Sequence, residues 1–169
     1  MTASVYRMEF LDKTHGRDRF LCEEEALDRY LKEQASQDMK RHCSTVIVAV
    51  KPDEKAVLGF YSISSAIVRL DALPEAERKR LPRYEHIPAV LLGRLAVAKE
   101  EKGQGLGAIL LADAVTRACR SDIAWAVFIV KAKHEQAAGF YRHFGFTPFG
   151  GEPLILWNTR KSIERTIAG

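Results

Sequence analysis

Apolar positions between residues 23 and 39 recur at helical spacing: Leu27, Tyr30, Leu31 and Ala35 share one face, with charges between them. Glu23, Glu24 and Glu25 sit in the first turn, where negative charge suits the helix dipole. The period then changes. Ser44–Val50 is a β-branched, apolar run, Lys51–Lys55 contains Pro52 and Asp53 and reads as a turn, and Val57–Ser64 is a second strand, so the pair predicts an antiparallel hairpin. Asp71–His86 is polar with Pro74 and Pro82, which allows a short helix around Pro74–Arg80 within a loop. Ala89–Val97 is an apolar strand that runs into a glycine-rich turn and a helix to about Arg120. Gly107, Leu110, Leu111, Ala114, Val115 and Ala118 form its apolar stripe, and Asp113, Thr116, Arg117 and Arg120 its polar side. Trp125–Ala132 is a buried strand, Glu135–Phe144 a short helix stopped by Gly145, and Leu154–Trp157 a last strand. Phe140 and Phe144, four apart, are expected in the core, with Tyr141 beside that stripe. The order predicts a mixed α/β sheet.

Lys102-Gly103-Gln104-Gly105-Leu106-Gly107-Ala108 is the segment with chemistry. A strand that ends in such a turn and opens a helix leaves the first helical N–H groups unpaired at the positive end of the dipole, which makes an anion site. Three readings compete. A P-loop requires Lys and Ser or Thr after the last glycine, whereas Ala108 and Ile109 follow here. A dinucleotide fingerprint is formally matched by Gly103, Gly105 and Ala108, with Asp122 at the distance of an acidic ribose ligand. That fingerprint belongs in the first strand-turn-helix of a parallel sheet, and here a hairpin precedes it. A tight turn without a ligand is the third.

The downstream segment Glu135-Gln136-Ala137-Ala138-Gly139-Phe140-Tyr141-Arg142-His143-Phe144-Gly145-Phe146, taken with Leu95-Ala96-Val97 and the glycine turn, resembles the acetyl-CoA-binding half of the GNAT acyltransferases. In that family the pyrophosphate sits on a turn of pattern Gln/Arg-x-x-Gly-x-Gly/Ala, to which Lys102, Gly105 and Gly107 correspond; Lys102 departs from the usual first residue, keeping a point charge but losing a guanidinium fork. Leu27–Leu31, Ala35–Asp38, Val57–Tyr61, Pro88–Val97 and Phe140–Phe146 are further similar to the GNAT toxins of bacterial toxin–antitoxin modules, over roughly Phe20 to Trp157. The resemblance implies a mostly antiparallel central sheet flanked by helices in one domain over residues 1–169. It implies acetyl-CoA as cofactor, lying between splayed strands Ala89–Val97 and Trp125–Ala132. The cofactor residues would be Leu95, Ala96, Val97, Lys102, Gly103, Gln104, Gly105, Leu106, Gly107, Ala108 and Phe144. A backbone N–H near Val97 would be the oxyanion donor and Tyr141 the acid. It also implies aminoacyl-tRNA as acceptor, a ribbon-helix-helix antitoxin, and a homodimer.

Read without the family, Tyr141 is equally an aromatic packed on the sheet. As an acid, a phenol with a pKa of about 10 can protonate a thiolate. No base stands out, since His134, Glu135 and His143 lie near the motif without a partner pattern. An α-amine, with a pKa of about 7.7–8.0, needs a base far less than a lysine at about 10.4, so the missing base favours an α-amine acceptor.

Charge adds one more element. Net charge is +4, a mild excess compatible with a polyanionic partner. Lys32, Lys40 and Arg41 decorate the first helix and its end, Arg78, Lys79, Arg80 and Arg83 the loop before the long strand, and Arg17 and Arg19 the N-terminal part. Such residues hold phosphates and carry little sequence information. The competing reading is a solvated helix face plus a mobile loop, whose basic cluster Glu75, Glu77 and Glu85 dilute. Tyr84 is a single aromatic candidate for stacking on a base, too little to identify a nucleic-acid site alone. Two rival functions remain: a small-molecule or peptide N-acetyltransferase, and a non-catalytic CoA- or nucleotide-binding module. Cys22, Cys43 and Cys119 form no Cys-x-x-Cys pair and read as free thiols, without a metal site, in a reducing compartment. Met1–Phe10 lacks a signal-peptide core and no run is long enough to span a membrane, so the expected location is the cytoplasm.

Overall fold

The long strand ending at Val97 leads through the glycine turn into a helix. The computed structural model describes residues 5–168, with side chains through residue 166, so the first four residues of Met1–Phe10 lie outside it. Seven strands form one sheet in the order β1-β2-β3-β4-β5-β7-β6: β1 (Arg7–Phe10), β2 (Thr45–Val50), β3 (Gly59–Arg69), β4 (His86–Val97), β5 (Val127–Lys131), β6 (Thr147–Phe149) and β7 (Glu152–Thr159). β4 and β5 pair parallel; the pairs β1–β2, β2–β3, β5–β7 and β6–β7 are antiparallel. The predicted mixed, mostly antiparallel sheet is present. β1, β6 and the C-terminal α6 (Arg160–Ala168) are additions, and β3 runs five residues past the predicted Ser64. β1 and β6 are three or four residues long, too short to show a period.

The chain forms two compact units. One comprises residues up to Ser64 with Gly93–Thr116, the other Ser65–Leu92 with Arg117 onward. In the first, the predicted helix 23–39 is α1 (Glu25–Arg29), a π-helical turn (Tyr30–Gln34) and α2 (Ala35–Lys40). Leu27, Tyr30, Leu31 and Ala35 are buried as their spacing required, against Val46, Val48, Val50 and Phe60 of the hairpin. π turns inside helices mark sites where the helical ladder is bent to serve something else. Here the turn carries Tyr30, whose ring lies 3.6 Å beneath the guanidinium carbon of Arg94 from β4 and whose hydroxyl donates to Asp38 Oδ2 at 2.7 Å.

α4 (Leu106–Arg120) begins in this unit. Its buried stripe includes Leu106, Leu110, Leu111, Ala114 and Val115. A Cβ on Gly59 would lie 3.0 Å from Leu110 Cδ1 and 3.1 Å from Leu106 Cδ2 and the Ala96 carbonyl. Glycine lets helix and strand approach this closely without displacing Leu106, Leu110 or the Ala96 carbonyl, and that approach fixes where the first turn of α4 sits. Asp113, read as a solvent-face residue, is half-buried and accepts from the hydroxyl of fully buried Tyr61 at 2.7 Å.

In the second unit Val68, Leu73, Ile87, Ala89, Val127, Ile129 and Trp157 form a core. The β4–β5 ladder there runs from Ala89↔Val127 to Leu92↔Val130, and β4 continues to Val97. α3 (Glu75–Arg78) is the short helix predicted in the polar segment, and α5 (Glu135–His143) the predicted last helix, with Gly145 beyond it at φ 95°. No helix among the described residues is long and apolar enough to cross a membrane.

Candidate acyl-transfer site

β4 ends with Leu95 and Val97 half-buried and Ala96 buried. Ala98 N then donates to Leu58 O at 2.8 Å, and a single 3-10 turn (Lys99–Glu101) leads to the glycines. Gly103 and Gly105 have φ of 80° and 83°, a left-handed conformation that costs an L-residue roughly 1–2 kcal/mol. A Cβ at either position would meet no protein atom within 4 Å, so handedness alone favours glycine and the surface above the turn is open. The α4 ladder starts with Ile109 N to Gly105 O at 3.1 Å. The N–H groups before it, from Gly103 through Ala108, have no acceptor among the described residues. A row of unpaired amides at the positive end of a 15-residue helix is a receptor for an anion, and open space above glycines suits a bulky one such as a diphosphate.

The turn is anchored on both flanks. Glu101 is buried and accepts from the Tyr6 hydroxyl at 2.7 Å, which helps push that phenol up to about 12. Lys102, expected as a point charge for phosphate, donates from Nζ to Cys22 O at 2.9 Å and to Glu23 Oε1 at 3.0 Å. Leu106 is buried beneath the turn, while Gln104 is exposed and Gly107 and Ala108 are half-buried.

In the other unit Tyr141 projects from α5. The predicted arrangement of this helix is reversed. Tyr141 is the buried residue at 3% exposure, Phe140 is half-buried, and Phe144, at the helix C-cap, is 42% exposed. The stripe that faces the sheet is Ala138 with Tyr141, at i and i+3, not the two phenylalanines. Phe140 and Phe146 pack edge-on against the Tyr141 ring, at 5.3 and 6.1 Å between centroids. Burial drives its phenol well above the usual tyrosine value. The hydroxyl bonds to none of the described residues, yet no fully buried side-chain N or O among them lacks a partner. The hydroxyl oxygen is therefore not sealed off completely, although the ring lies in an apolar wall.

The titratable neighbours are otherwise engaged. His134 Nδ1 caps α5 by accepting from Ala137 N at 3.2 Å, Glu135 pairs with Arg142, and His143 packs edge-on against Phe144. None is arranged as a base. The basic residues fall into two groups, one in each unit. Lys32, Lys40 and Arg41 are exposed and make no ion pair with a described residue. In the other unit Arg69, Leu70, Asp71, Arg78, Arg83, Tyr84 and Glu85 line an open groove of about 360 Å³. There Arg69 pairs with Asp71 and Glu85, Arg78 donates to Leu73 O, and Lys79 pairs with Glu75. Arg80 and Arg83 are exposed without a charge partner among the described residues, and Tyr84 is 64% exposed.

Residues 42–148 match the family model of the acetyltransferase (GNAT) domain, a span that contains the glycine turn, α4, β5 and Tyr141. This chain belongs to the GNAT acetyltransferase family. Among GNAT relatives it is 34% identical to the tRNA-acetylating toxin of Mycobacterium tuberculosis, over 88% of each chain. It is also similar to the solved structure of AtaT complexed with acetyl-methionyl-tRNAfMet. That match has 31% identity and a TM-score of 0.87, over 96% of this chain and 99% of the other. A tyrosine-to-phenylalanine variant of AtaT, bound to the C-terminus of the antitoxin AtaR and acetyl-CoA, matches at 27% identity and a TM-score of 0.83, over 98% and 100%.

Sequence reasoning missed Tyr6, Cys22, Glu23, Tyr30, Arg94 and Glu101. Each lies far in sequence from the residue it serves, or inside a run that reads as ordinary helix or strand, so no spacing signal could have found it.

Proposed function

We propose that the chain transfers the acetyl group of acetyl-CoA to the α-amine of aminoacyl-tRNA and acts as a translation-blocking toxin. The observation that carries the proposal is the unpaired amide row from Gly103 to Ala108 over an open, left-handed glycine turn. Similarity to the tRNA-acetylating toxin supports the choice of acceptor.

When bound, acetyl-CoA supplies an acyl group activated as a thioester. In this reading the amides of Gly103, Gln104, Gly105, Leu106, Gly107 and Ala108 hold its diphosphate. Leu95, Ala96 and Val97 line the strand along which its arm extends, and the exposed Phe144 ring gives it an apolar contact. A backbone N–H near Val97 stabilises the oxyanion that develops at the carbonyl. Tyr141 protonates the departing thiolate and recovers its proton from solvent; burial keeps the phenol in its protonated form before the step. The α-amine attacks in its neutral form, which is well populated near its pKa of about 7.7–8.0, so water suffices to remove the proton. Transfer is direct, with no covalent enzyme intermediate.

Lys32, Lys40, Arg41, Arg78, Lys79, Arg80 and Arg83 are assigned to tRNA phosphates, with Tyr84 presenting its ring beside them. A ribbon-helix-helix antitoxin as the neutralising partner, a homodimer as the assembly and the cytoplasm as the location complete the proposal; a relative's complex with an antitoxin supports the first.

The test is incubation with labelled acetyl-CoA, a pool of charged tRNAs and a lysine peptide. We expect label on aminoacyl-tRNA, released with the amino acid by mild base, and a steep loss of rate as salt rises. Label on the peptide alone, or no response to salt, would remove tRNA as acceptor.

A further inference from the structure

We propose that Lys102 is a positioning residue of the phosphate turn: it is pinned by the Cys22 carbonyl and the Glu23 carboxylate and is not itself a ligand of the diphosphate. This rests on the reading of residues 103–108 as the diphosphate site.

Lys102 occupies the position where the family pattern has Gln or Arg. Its backbone is extended, at φ −66° and ψ 148°, and Gly103 after it turns left-handed, so Lys102 is the last residue before the chain reverses hand. Whatever fixes Lys102 fixes the start of the amide row. Two bonds do so, at 2.9 Å to Cys22 O and 3.0 Å to Glu23 Oε1, within the range of charge-assisted hydrogen bonds. They engage two of the three ammonium donors.

The strap that receives them is itself fixed. Leu21 O accepts from Lys99 N at 2.7 Å, so the backbone already ties residues 21–23 to the 3-10 turn that leads to the glycines. Cys22 is buried, and its N–H donates to Oδ1 of buried Asp28 at 2.9 Å. Glu23 stands at φ 70°, a left-handed backbone that a non-glycine residue keeps only where its surroundings over-determine it. In that conformation the Cys22 carbonyl and the Glu23 carboxylate meet the same ammonium. The bond from Lys102 holds the Glu23 carboxyl below the usual carboxylate range, so that carboxylate stays ionised. A neutralised pair offers little attraction to an approaching diphosphate, which leaves that task to the amides. Exposed ion pairs add little to stability, so the contribution of this one is expected in cofactor affinity and not in the melting temperature.

The two roles of Lys102 predict opposite signs for Glu23. Acetyl-CoA affinity is measured by calorimetry on the full chain for Lys102→Met, Glu23→Gln and the double variant, each checked for an unchanged thermal transition. A strut requires both single variants to weaken binding by about 3- to 10-fold, the range open to one partly screened bond. The double variant then binds no worse than the weaker single one. KM for acetyl-CoA rises by the same factor while kcat at saturation holds, and the salt dependence of binding does not change in Lys102→Met. If Lys102 grips phosphate, Glu23→Gln frees it and tightens binding or leaves it as it was, while Lys102→Met weakens it and flattens the salt dependence. That result overturns the proposal, as do additive losses or an unaffected Lys102→Met. Gly105→Val separates this proposal from the reading beneath it. If that variant binds acetyl-CoA normally, the turn is not the diphosphate site, whatever Lys102 does.

Discussion

Replacing Tyr141 by phenylalanine is expected to lower kcat for acetyl transfer by about 10²- to 10³-fold, within the range that a positioned general acid contributes. KM for acetyl-CoA should stay within about twofold. The substitution is clean because of where the ring sits. It is buried between Phe140 and Phe146, and phenylalanine keeps those contacts. The hydroxyl bonds to none of the described residues, so its removal orphans no partner; the melting temperature should hold, because deleting an unbonded group removes no stabilising contact. The pH profile adds a second sign. Burial raises the phenol pKa, so its protonated form persists above the ordinary tyrosine value of about 10. The wild-type rate should therefore rise through the amine pKa of about 7.7–8.0 and stay up as pH approaches 10, with no loss from tyrosine ionisation. The check is steady-state kinetics of both proteins from pH 6 to 10. Undiminished turnover in the variant would remove Tyr141 from the chemistry.

The second large effect belongs to Gly105. A valine there faces two penalties. At φ 83° its β-branched side chain is strained, at a cost of roughly 1–2 kcal/mol. Because a Cβ at 105 meets no protein atom, the branch would stand in the space assigned to the diphosphate. Displacing even one or two charge-assisted hydrogen bonds costs about 3 kcal/mol, so acetyl-CoA affinity should fall on the order of 100-fold. The melting temperature should fall by only a few degrees, as the strain alone requires. Gly150→Val is the control. That glycine also has open space around its missing Cβ but does not share the left-handed backbone, and the variant should bind cofactor normally. Calorimetry and thermal unfolding on the three proteins decide it.

The elements that position the site were legible where period and punctuation agreed. Leu110, Leu111, Ala114, Val115 and Ala118 gave the buried face of α4 because a helix packed on one side repeats every 3.6 residues. The glycine turn was legible because left-handed backbone and free amides leave glycine as the residue that fits. α5 was read as a helix but with the wrong face inward. Three aromatics crowd one short helix, and spacing alone cannot say which of them meets the sheet. The structure buries Tyr141 and leaves Phe144 to the surface. The short β1 and β6 gave no period to read, and α6 follows β7 without a break in the sequence pattern. The anchors of the turn, Tyr6 to Glu101 and Lys102 to Cys22 and Glu23, join residues 79 to 95 positions apart. Such pairings are set by the tertiary fold and leave no local signature.

In the proposed mechanism every step follows from the backbone from Gly103 to Ala108 receiving the cofactor's diphosphate. Amide resonances of isotopically labelled protein, followed during titration with acetyl-CoA, test it directly. The N–H signals of Gly103, Gln104, Gly105, Leu106, Gly107 and Ala108 should make the largest downfield proton shifts in the chain. 3′-Dephospho-CoA should reproduce them, and a pantetheine thioester lacking the diphosphate should not. Saturable cofactor binding that leaves these six amides at their free positions would contradict it.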